Sequence, residues 1–404
     1  MCIRDSLAAC AAPGGDPPDP TADEAALLAE ARRIHAEAIV IDGHSDTTPR
    51  LEDPAWDFAA RQPDGHMDLP RIREGGLDAI FFSIWMGDTP GDGTATKKAA
   101  RRIDAVHEAV RRWPEELALA TTAADIRRAA AEGRVAALIG VEGGHIIESD
   151  LAVLRTYQRL GARYLTLTHS FNTGWADSAG TDRPVPPESD GLSDFGRDVV
   201  RELNRLGVMV DVSHVADSTF WDVLEVSAAP VIASHSSCRA VADHPRNVSD
   251  DMLRALAGRG GLLMINFYPG YIDPAKAERA RRLVPEVEEI YARYPDDPGR
   301  AREERIALYA AHDPGPTPAS VVIDHIVHAL ELVGDDHVGL GADWDGVPTL
   351  PVGLEDCSKL EYVTVELLRR GYSEETVRKV LGENLLRVME AVEETSRTLA
   401  SEGS

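Results

Sequence analysis

Short apolar runs, separated by longer amphipathic stretches, recur along the chain from residue 36 onward. The runs are continuous rather than alternating and end in polar or charged residues, which is typical of strands covered on both faces in a parallel sheet. The pattern therefore predicts eight strands, at residues 38–44, 78–85, 135–144, 163–170, 207–214, 230–237, 261–267 and 337–346.

The stretches between the runs have recognisable helix ends. One predicted helix begins after Ser193, a favourable N-cap residue, and stops at Gly207, and another lies between Ser249 and Gly260. Eight strand–helix units in one chain favour a (β/α)8 barrel. The alternative is a doubly wound sheet, but no GxGxxG motif follows the first predicted strand to support it.

The domain organisation follows from the same pattern. We expect a single barrel over residues 31–395, followed by a tail at 396–404. A long charged segment, about 268–319, separates the seventh and eighth predicted strands and is expected to be a partly helical insertion over the mouth or the flank of the barrel. With 404 residues, of which 43% are hydrophobic, the chain is long enough to bury such a core.

Residues 1–30 are expected to form a disordered tether. The letters "LAAC" at 7–10 precede a stretch rich in Pro, Gly and Asp, an arrangement that resembles the lipobox of bacterial lipoproteins. Cys10 is thus a candidate lipid anchor, and the residues before it are a candidate signal remnant with almost no apolar region. This predicts a lipoprotein of the bacterial cell envelope or periplasm, with a cytoplasmic protein as the alternative.

Charge and cysteine content exclude several classes of protein. The net charge of −26 argues against nucleic acid and anionic lipid surfaces as partners. No run approaches the roughly 18 apolar residues that a membrane-spanning helix needs. The four cysteines include no CxxC pair, which argues against a structural thiolate site. Cys238 and Cys357 are expected to be structural, either as free thiols or as a bridge.

Side chains that can bind metal ions follow six of the predicted strands. In a barrel, the C-terminal ends of the strands meet at one mouth. The first strand supplies His44 and Asp46, which lie two residues apart on one face, and burying that carboxylate without a cation would cost several kcal/mol. Imidazole and carboxylate ligands suit Zn²⁺, with Mn²⁺ as an alternative. The candidates are His44, Asp46, Glu142, His169, His214, His235 and Asp343.

Each candidate taken alone also has an ordinary structural explanation. His44, His214 and His235 are each explained equally well as hydrogen-bonded core histidines, and Glu142 as the cap of a following helix. The joint placement at the same end of successive strand–helix units is what favours a metal site. His145, three residues after Glu142, is a weaker candidate for an outer contact of that site.

At these residues the sequence resembles a known family. The segments "IDGHSD", "GVEGGH", "YLTLTHSFNT", "VDVSH", "PVIASHSS", "HPRNVSDDML" and "GLGADWDG", in this order, strongly resemble the membrane (renal) dipeptidase family, which belongs to the amidohydrolase-type metal-dependent barrels. The resemblance runs from about residue 36 to 392. It implies a (β/α)8 TIM barrel of the metal-dependent hydrolase type with two Zn²⁺ per chain.

The resemblance also implies roles for individual residues. His44 and Asp46 would bind one zinc ion, His214 and His235 the other, and Glu142 would bridge both.

Three further residues would act on the substrate. His169 and Arg246 match the residues of the family that contact the substrate, and Asp343 matches its acid/base aspartate. The expected reaction is hydrolysis of the peptide bond of dipeptides by a hydroxide held between the metals, with His169 donating to the oxyanion and Arg246 binding the C-terminal carboxylate. Acceptance of a C-terminal D-residue is left open. A homodimer is implied by the resemblance alone.

Two other functions are alternatives. The nearer one is another amidohydrolase-type enzyme, such as an N-acyl amino-acid hydrolase, a lactonase or a deaminase. Such sites commonly begin with His-x-His at the first strand, whereas this chain has His44-Ser45-Asp46, which favours the dipeptidase. The more distant alternative is a non-catalytic envelope lipoprotein that binds peptides or metal, but no ligand or acid/base position is missing.

Overall fold

Nine parallel strands form a single sheet in the structure, a computed structural model that describes residues 21–87, 93–181 and 183–402. Eight of them pair in chain order, and β3 pairs only with β4 at the margin. Within these ranges the strands are β1 (Ile41–Ser45), β2 (Ala79–Trp85), β3 (Leu117–Leu119), β4 (Val135–Glu142), β5 (Ala162–Thr166), β6 (Met209–Asp211), β7 (Ile232–Ser236), β8 (Leu262–Ile265) and β9 (Val338–Leu340).

Helices surround this sheet and close its ends. In the described part of the chain the α-helices are α1 (Ala22–Glu37), α2 (Thr48–Leu51), α3 (Leu69–Glu74), α4 (Ala95–Arg112), α5 (Ala123–Ala131), α6 (Leu151–Arg159), α7 (Asp194–Leu206), α8 (Asp217–Val226), α9 (Asp250–Gly258), α10 (Pro269–Ile272), α11 (Pro274–Arg282), α12 (Val284–Arg293), α13 (Pro298–Ala311), α14 (Ser320–Val333), α15 (Glu361–Arg369), α16 (Glu374–Arg378) and α17 (Asn384–Glu402).

The first and last strands meet just beyond their C-terminal ends and bring the barrel close to closure. Ser45 pairs with Trp344 in a parallel bridge. The N–H of Asp46 donates to the carbonyl of Trp344 at 2.7 Å, and the N–H of Asp343 donates to the carbonyl of His44 at 3.1 Å. Two segments about 300 residues apart in the sequence are therefore fixed side by side at the mouth. The predicted (β/α)8 barrel is confirmed, with all eight predicted strands in place.

Alternation along the strands divides the core into two layers. On β2, Ile80 and Phe82 belong to the cluster that packs under the surrounding helices, whereas Phe81 belongs to the cluster that fills the barrel interior. Tyr164 of β5 lies in the same interior cluster and is fully buried. The interior is therefore packed with side chains, as in other barrels of eight parallel strands, and Tyr164 provides part of the floor beneath the mouth.

The helix ends follow the sequence signals closely. The side chain of Ser193 accepts a hydrogen bond from the N–H of Gly196 at the start of α7, which ends on Gly207 in the left-handed conformation. Ser249 caps α9 in the same way, through the N–H of Met252. The segment between β8 and β9 contains α10 to α13, so the predicted insertion is confirmed.

The predicted domain limits need correction at both ends. Helix α1 begins at Ala22, inside the segment expected to be a tether, because Thr21 caps it and Ala31 and Ile34 are fully buried. Helix α17 continues to Glu402, through most of the predicted tail at 396–404. Strand β3 was not predicted, because its three residues, Leu-Ala-Leu, include no β-branched side chain. Cys10 lies outside the described residues.

Two further expectations concern cysteines and membrane helices. Cys238 and Cys357 are both buried and free, which selects the free-thiol alternative. Burial raises the pKa of the Cys238 thiol to about 12, so it stays protonated and unreactive. Among the helices described, none combines the length and the apolar character that a membrane crossing requires.

Gly341, directly after β9, provides a test of the barrel packing. A Cβ atom added there would lie 1.8 Å from the carbonyl oxygen of Ser234, so two strands would have to separate. We expect Gly341→Ala to lower the free energy of unfolding in urea by about 3 kcal/mol, the upper range for overpacking. Gly258→Ala is the control, because a Cβ at that helical position meets no atom within 4 Å. Equal stability of both variants would contradict this packing.

Candidate metal centre and substrate site

The seven candidate side chains from the strand ends converge at the mouth of the barrel. His44 lies in β1 and His235 in β7, and Glu142 is the last residue of β4. His214 and Asp343 follow their strands by three residues and have left-handed backbones, with φ of 71° and 67°. Such conformations cost energy in non-glycine residues and are concentrated at functional sites. Here the turns they make keep both side chains at the mouth.

The carboxylate of Glu142 lies at the centre of the cluster. Its Oε1 atom is 3.1 Å from Nε2 of His214 and 3.4 Å from Nε2 of His235, while its Oε2 atom is 3.4 Å from Nε2 of His44. The Nε2 atoms of His214 and His235 are themselves 2.9 Å apart. Three imidazoles from three strands thus point the same ring nitrogen at one buried carboxylate. One carboxylate oxygen faces His44 and the other faces the remaining pair.

A second group of carboxylates lies on the β1 side of Glu142. Single ligand atoms of His44, Asp46 and Asp343 lie within 4.8 Å of one another. Gly346 leaves the room for this, because a Cβ atom there would lie 2.2 Å from Oδ1 of Asp343 and 2.4 Å from Oδ2 of Asp46. The last loop of the barrel therefore approaches both carboxylates as closely as only glycine allows.

Polar atoms without hydrogen-bond partners indicate that these residues fit a metal ion. Nε2 of His44 and Oδ1 of Asp46 are both buried and make no hydrogen bond. Buried polar atoms are nearly always paired, so a cluster of unpaired ones at a single place requires an explanation. Nitrogen and oxygen donors on rigid strand ends form the donor set that zinc binds in proteins. The residues present therefore fit the metal implied by the resemblance.

The pKa values of the histidines follow from burial and from the neighbouring charges. Burial lowers the pKa of His44, but the carboxylates of Glu142, Asp46 and Asp343 together outweigh burial and raise that pKa to about 10. Burial, reinforced by Arg246 for His214 and by His44 for His235, holds the pKa of these two histidines well below the usual range. His214 and His235 are thus neutral, the form that binds metal. The proton on His44 is the positive charge that a bound metal would replace.

The carboxylates respond to the same environment. Burial, followed by repulsion from Glu142, raises the pKa of Asp46 to about 7. Burial also raises the pKa of Asp343. Glu142 behaves in the opposite way: burial opposes its ionisation, but His44, His214 and His235 hold its pKa well below the usual range. Three carboxylates at this density need more positive charge than one imidazolium supplies.

His169 lies at the edge of the same cluster. Its Nε2 atom is 3.9 Å from Oε1 of Glu142, and its ring centroid is 4.4 Å from that of His214. One of its ring nitrogens lies within 4.8 Å of ligand atoms of Glu142 and His214. Geometry alone thus allows His169 either to bind metal or to contact a substrate. Its position next to the metal-facing atoms is compatible with the substrate contact implied by the resemblance.

Arg246 presents a buried positive charge beside the cluster. Its Nη2 atom donates to the carbonyl of His235 at 3.4 Å, and its guanidinium carbon lies 5.3 Å from the centre of the Tyr271 ring. Nε and Nη1 of Arg246 are buried and make no hydrogen bond. Unpaired guanidinium donors next to the metal-facing atoms are suited to bind a carboxylate in a forked geometry.

Several residues that support the site were not predicted from the sequence. The amide of Asn266, beyond β8, donates to Oδ2 of Asp343 at 3.1 Å, and the hydroxyl of Tyr164 lies 2.8 Å from Nδ1 of His44. Asp42 accepts from the N–H of His44 at 2.9 Å. Asp42 and Tyr164 lie inside the segments "IDGHSD" and "YLTLTHSFNT", so the sequence offered a signal for both. Asn266 directly follows an apolar strand and offered none.

Comparisons with known proteins identify the family of this chain. The family model described as membrane dipeptidase (peptidase family M19) matches residues 28–403. The dipeptidase verJ of Clonostachys rogersoniana is 34% identical over 395 residues, which cover 93% of this chain and 90% of that protein.

Solved structures show the same fold. The probable dipeptidase PvdM of Pseudomonas aeruginosa has a TM-score of 0.81 and 27% identity, over 92% of this chain and 99% of that one. A metallo peptidase of Rhodobacter sphaeroides, liganded with a phosphinate mimic of the dipeptide L-Ala-D-Ala, has a TM-score of 0.72 and 26% identity, over 88% of this chain and 100% of that one. The chain therefore belongs to the membrane dipeptidase family, peptidase family M19, and is a metallo-dipeptidase.

Proposed function

We propose that this dipeptidase uses two zinc ions, one bound by His44 and Asp46, the other by His214 and His235, with Glu142 between them. The observation that carries the proposal is the placement of Glu142, whose two oxygens face different histidines. A bridging carboxylate needs this arrangement, whereas a ligand of a single ion does not. The chemistry that zinc supplies when bound is polarisation of the peptide carbonyl and activation of water near neutral pH.

Asp343 is proposed as the group that moves the proton. It is buried at the mouth, and its carboxylate is oriented by the Asn266 amide and by the left-handed backbone. A carboxylate held next to the reacting water can accept its proton and then pass it to the leaving amine. The raised pKa of Asp343 favours both halves of this transfer, because it brings the carboxyl closer to the working pH.

His169 and Arg246 are proposed to hold the substrate. His169, at the rim of the metal-facing atoms, would donate a hydrogen bond to the carbonyl oxygen as negative charge develops on it. Arg246 would bind the C-terminal carboxylate of the dipeptide through its unpaired Nε and Nη1 donors. Binding at both points places one peptide bond between them, and a longer peptide would have no carboxylate at Arg246.

Three finer features remain proposals. Acceptance of a C-terminal D-residue is supported by the L-Ala-D-Ala mimic bound to the Rhodobacter sphaeroides metallo peptidase. A homodimer is proposed on the family resemblance alone. A lipid anchor at Cys10, with location in the bacterial cell envelope or periplasm, is proposed on the "LAAC" segment of the sequence alone.

Asp343→Asn separates proton transfer from metal binding. The amide keeps the shape of the side chain but cannot accept the proton of the water, so we expect kcat to fall by about 10² to 10⁴. Zinc content, measured by plasma mass spectrometry, is expected to stay at two per chain, because Asp343 is not among the proposed ligands. Unchanged kcat would remove Asp343 from the acid/base role, and a parallel loss of zinc would make it a ligand.

The proposed binding of the substrate carboxylate by Arg246, called the clamp below, is tested with a dipeptide and its C-terminal amide, which lacks the carboxylate. The native enzyme is expected to prefer the dipeptide over the amide. Arg246→Ala should raise KM for the dipeptide by about 10- to 100-fold, because a hydrogen-bonded charge pair is lost. KM for the amide should change little, so the preference disappears. Arg246→Lys is the control, since an ammonium keeps the charge without the fork. An unaltered dipeptide KM in Arg246→Ala would exclude the clamp.

A further inference from the structure

Asp211, the last residue of β6, is a fully buried carboxylate outside the proposed ligand set. Its Oδ1 atom accepts from the N–H of Ser213 at 3.0 Å and from the N–H of Ser234 at 2.8 Å. Its Oδ2 atom accepts from the hydroxyl of Thr166 at 2.5 Å and from the hydroxyl of Ser234 at 2.6 Å. Asp211 thus ties together the ends of three neighbouring strands, β5, β6 and β7.

The hydroxyl of Ser234 connects this carboxylate to a proposed metal ligand. Its oxygen lies 2.8 Å from Nδ1 of His235 as well as 2.6 Å from Oδ2 of Asp211. An ionised carboxylate can only accept hydrogen bonds, and a serine hydroxyl has a single proton to donate. The Ser234 proton therefore goes to Asp211, and toward His235 the Ser234 oxygen can only accept.

The direction of these bonds determines the tautomer of His235. Nδ1 of His235 must carry the proton that Ser234 accepts, and in the neutral ring Nε2 is then left with a free lone pair. That Nε2 atom faces Oε1 of Glu142 at 3.4 Å. We propose that Asp211 and Ser234 are positioning residues that fix the tautomer of His235 and so keep its Nε2 lone pair available to a metal ion. This inference rests on the proposed metal site.

The other two histidines of the cluster lack such a relay, in which a serine hydroxyl connects the imidazole to a buried carboxylate. Nδ1 of His214 is buried without a hydrogen-bond partner. Nδ1 of His44 lies 2.8 Å from the hydroxyl of Tyr164, a group that can either donate or accept and therefore does not select a tautomer. Of these three imidazoles, His235 is the one whose protonation pattern is determined by an outer carboxylate.

In Asp211→Asn, we expect the hydrogen bonds between residue 211, Ser234 and His235 to reverse their direction. Two backbone N–H groups donate to Oδ1, so the asparagine oxygen should occupy that position and its amide nitrogen should face Thr166 and Ser234. The amide then donates to the Ser234 oxygen, and the Ser234 proton turns toward Nδ1 of His235. Nε2 of His235 would carry the proton and lose its lone pair. Ser234→Ala, in contrast, only removes the hydrogen bond that fixes the tautomer of His235.

The experiment measures zinc affinity rather than turnover. Full-length protein is stripped of metal, and zinc is added in competition with a chromophoric chelator of known affinity. We expect the native protein to bind two zinc ions, Ser234→Ala to weaken one of them about 10-fold, and Asp211→Asn to weaken the same ion about 100-fold, the range seen for outer partners of metal-binding histidines. The order of the two variants distinguishes a tautomer relay from lost packing.

A matched control separates metal binding from stability. Ser227 is also a buried serine, donating to the carbonyl of Ala229 at 2.8 Å near the opposite end of β7. Ser227→Ala should lower Tm without changing zinc affinity. Equal zinc affinity in Ser234→Ala, Asp211→Asn and native protein would overturn the relay, as would losses that follow Tm alone. A native protein that binds no zinc would instead overturn the proposed metal site itself.

Discussion

The buried Glu142 carboxylate requires compensating positive charge at the mouth of this barrel. Glu142 is 2% exposed, and Asp46 and Asp343 lie close by, so negative charge accumulates where water cannot screen it. Without metal, a proton on His44 offsets part of that charge. Bound metal would offset it more completely, and this need distinguishes the arrangement from an ordinary polar core.

The fold supplies this arrangement through the ends of its strands. Parallel strands present their C-terminal ends at one mouth, and the bonds of Asp46 and Asp343 to the opposite segment hold the first and last strands in register there. The packed interior below, with Tyr164 touching His44, prevents the ligands from retreating into the barrel. Asp211, which lies at the end of β6, is connected to His235 through the Ser234 hydroxyl, so the sheet also holds this side chain in place.

Much of this could be predicted from the sequence, because parallel strands are continuous apolar runs and the motifs at their ends carry unusual residues for a core. The eight barrel strands, the insertion and the convergence of His44, Glu142 and His235 were accessible in that way. The limits of α1 and α17 were not, because tertiary burial rather than composition determines them. The roles of Asn266 and Ser234 could not be predicted either, because a buried amide or hydroxyl can be assigned a role only when its hydrogen-bond partners are known.

The proposed placement of two metal ions on either side of Glu142 can be observed by anomalous diffraction from crystals of the zinc-loaded protein. We expect two peaks per chain at the zinc absorption edge. One should contact His44 and Asp46, the other should contact His214 and His235, and the Glu142 carboxylate should reach both. A single peak, or peaks that Glu142 does not bridge, would rule out this two-metal arrangement.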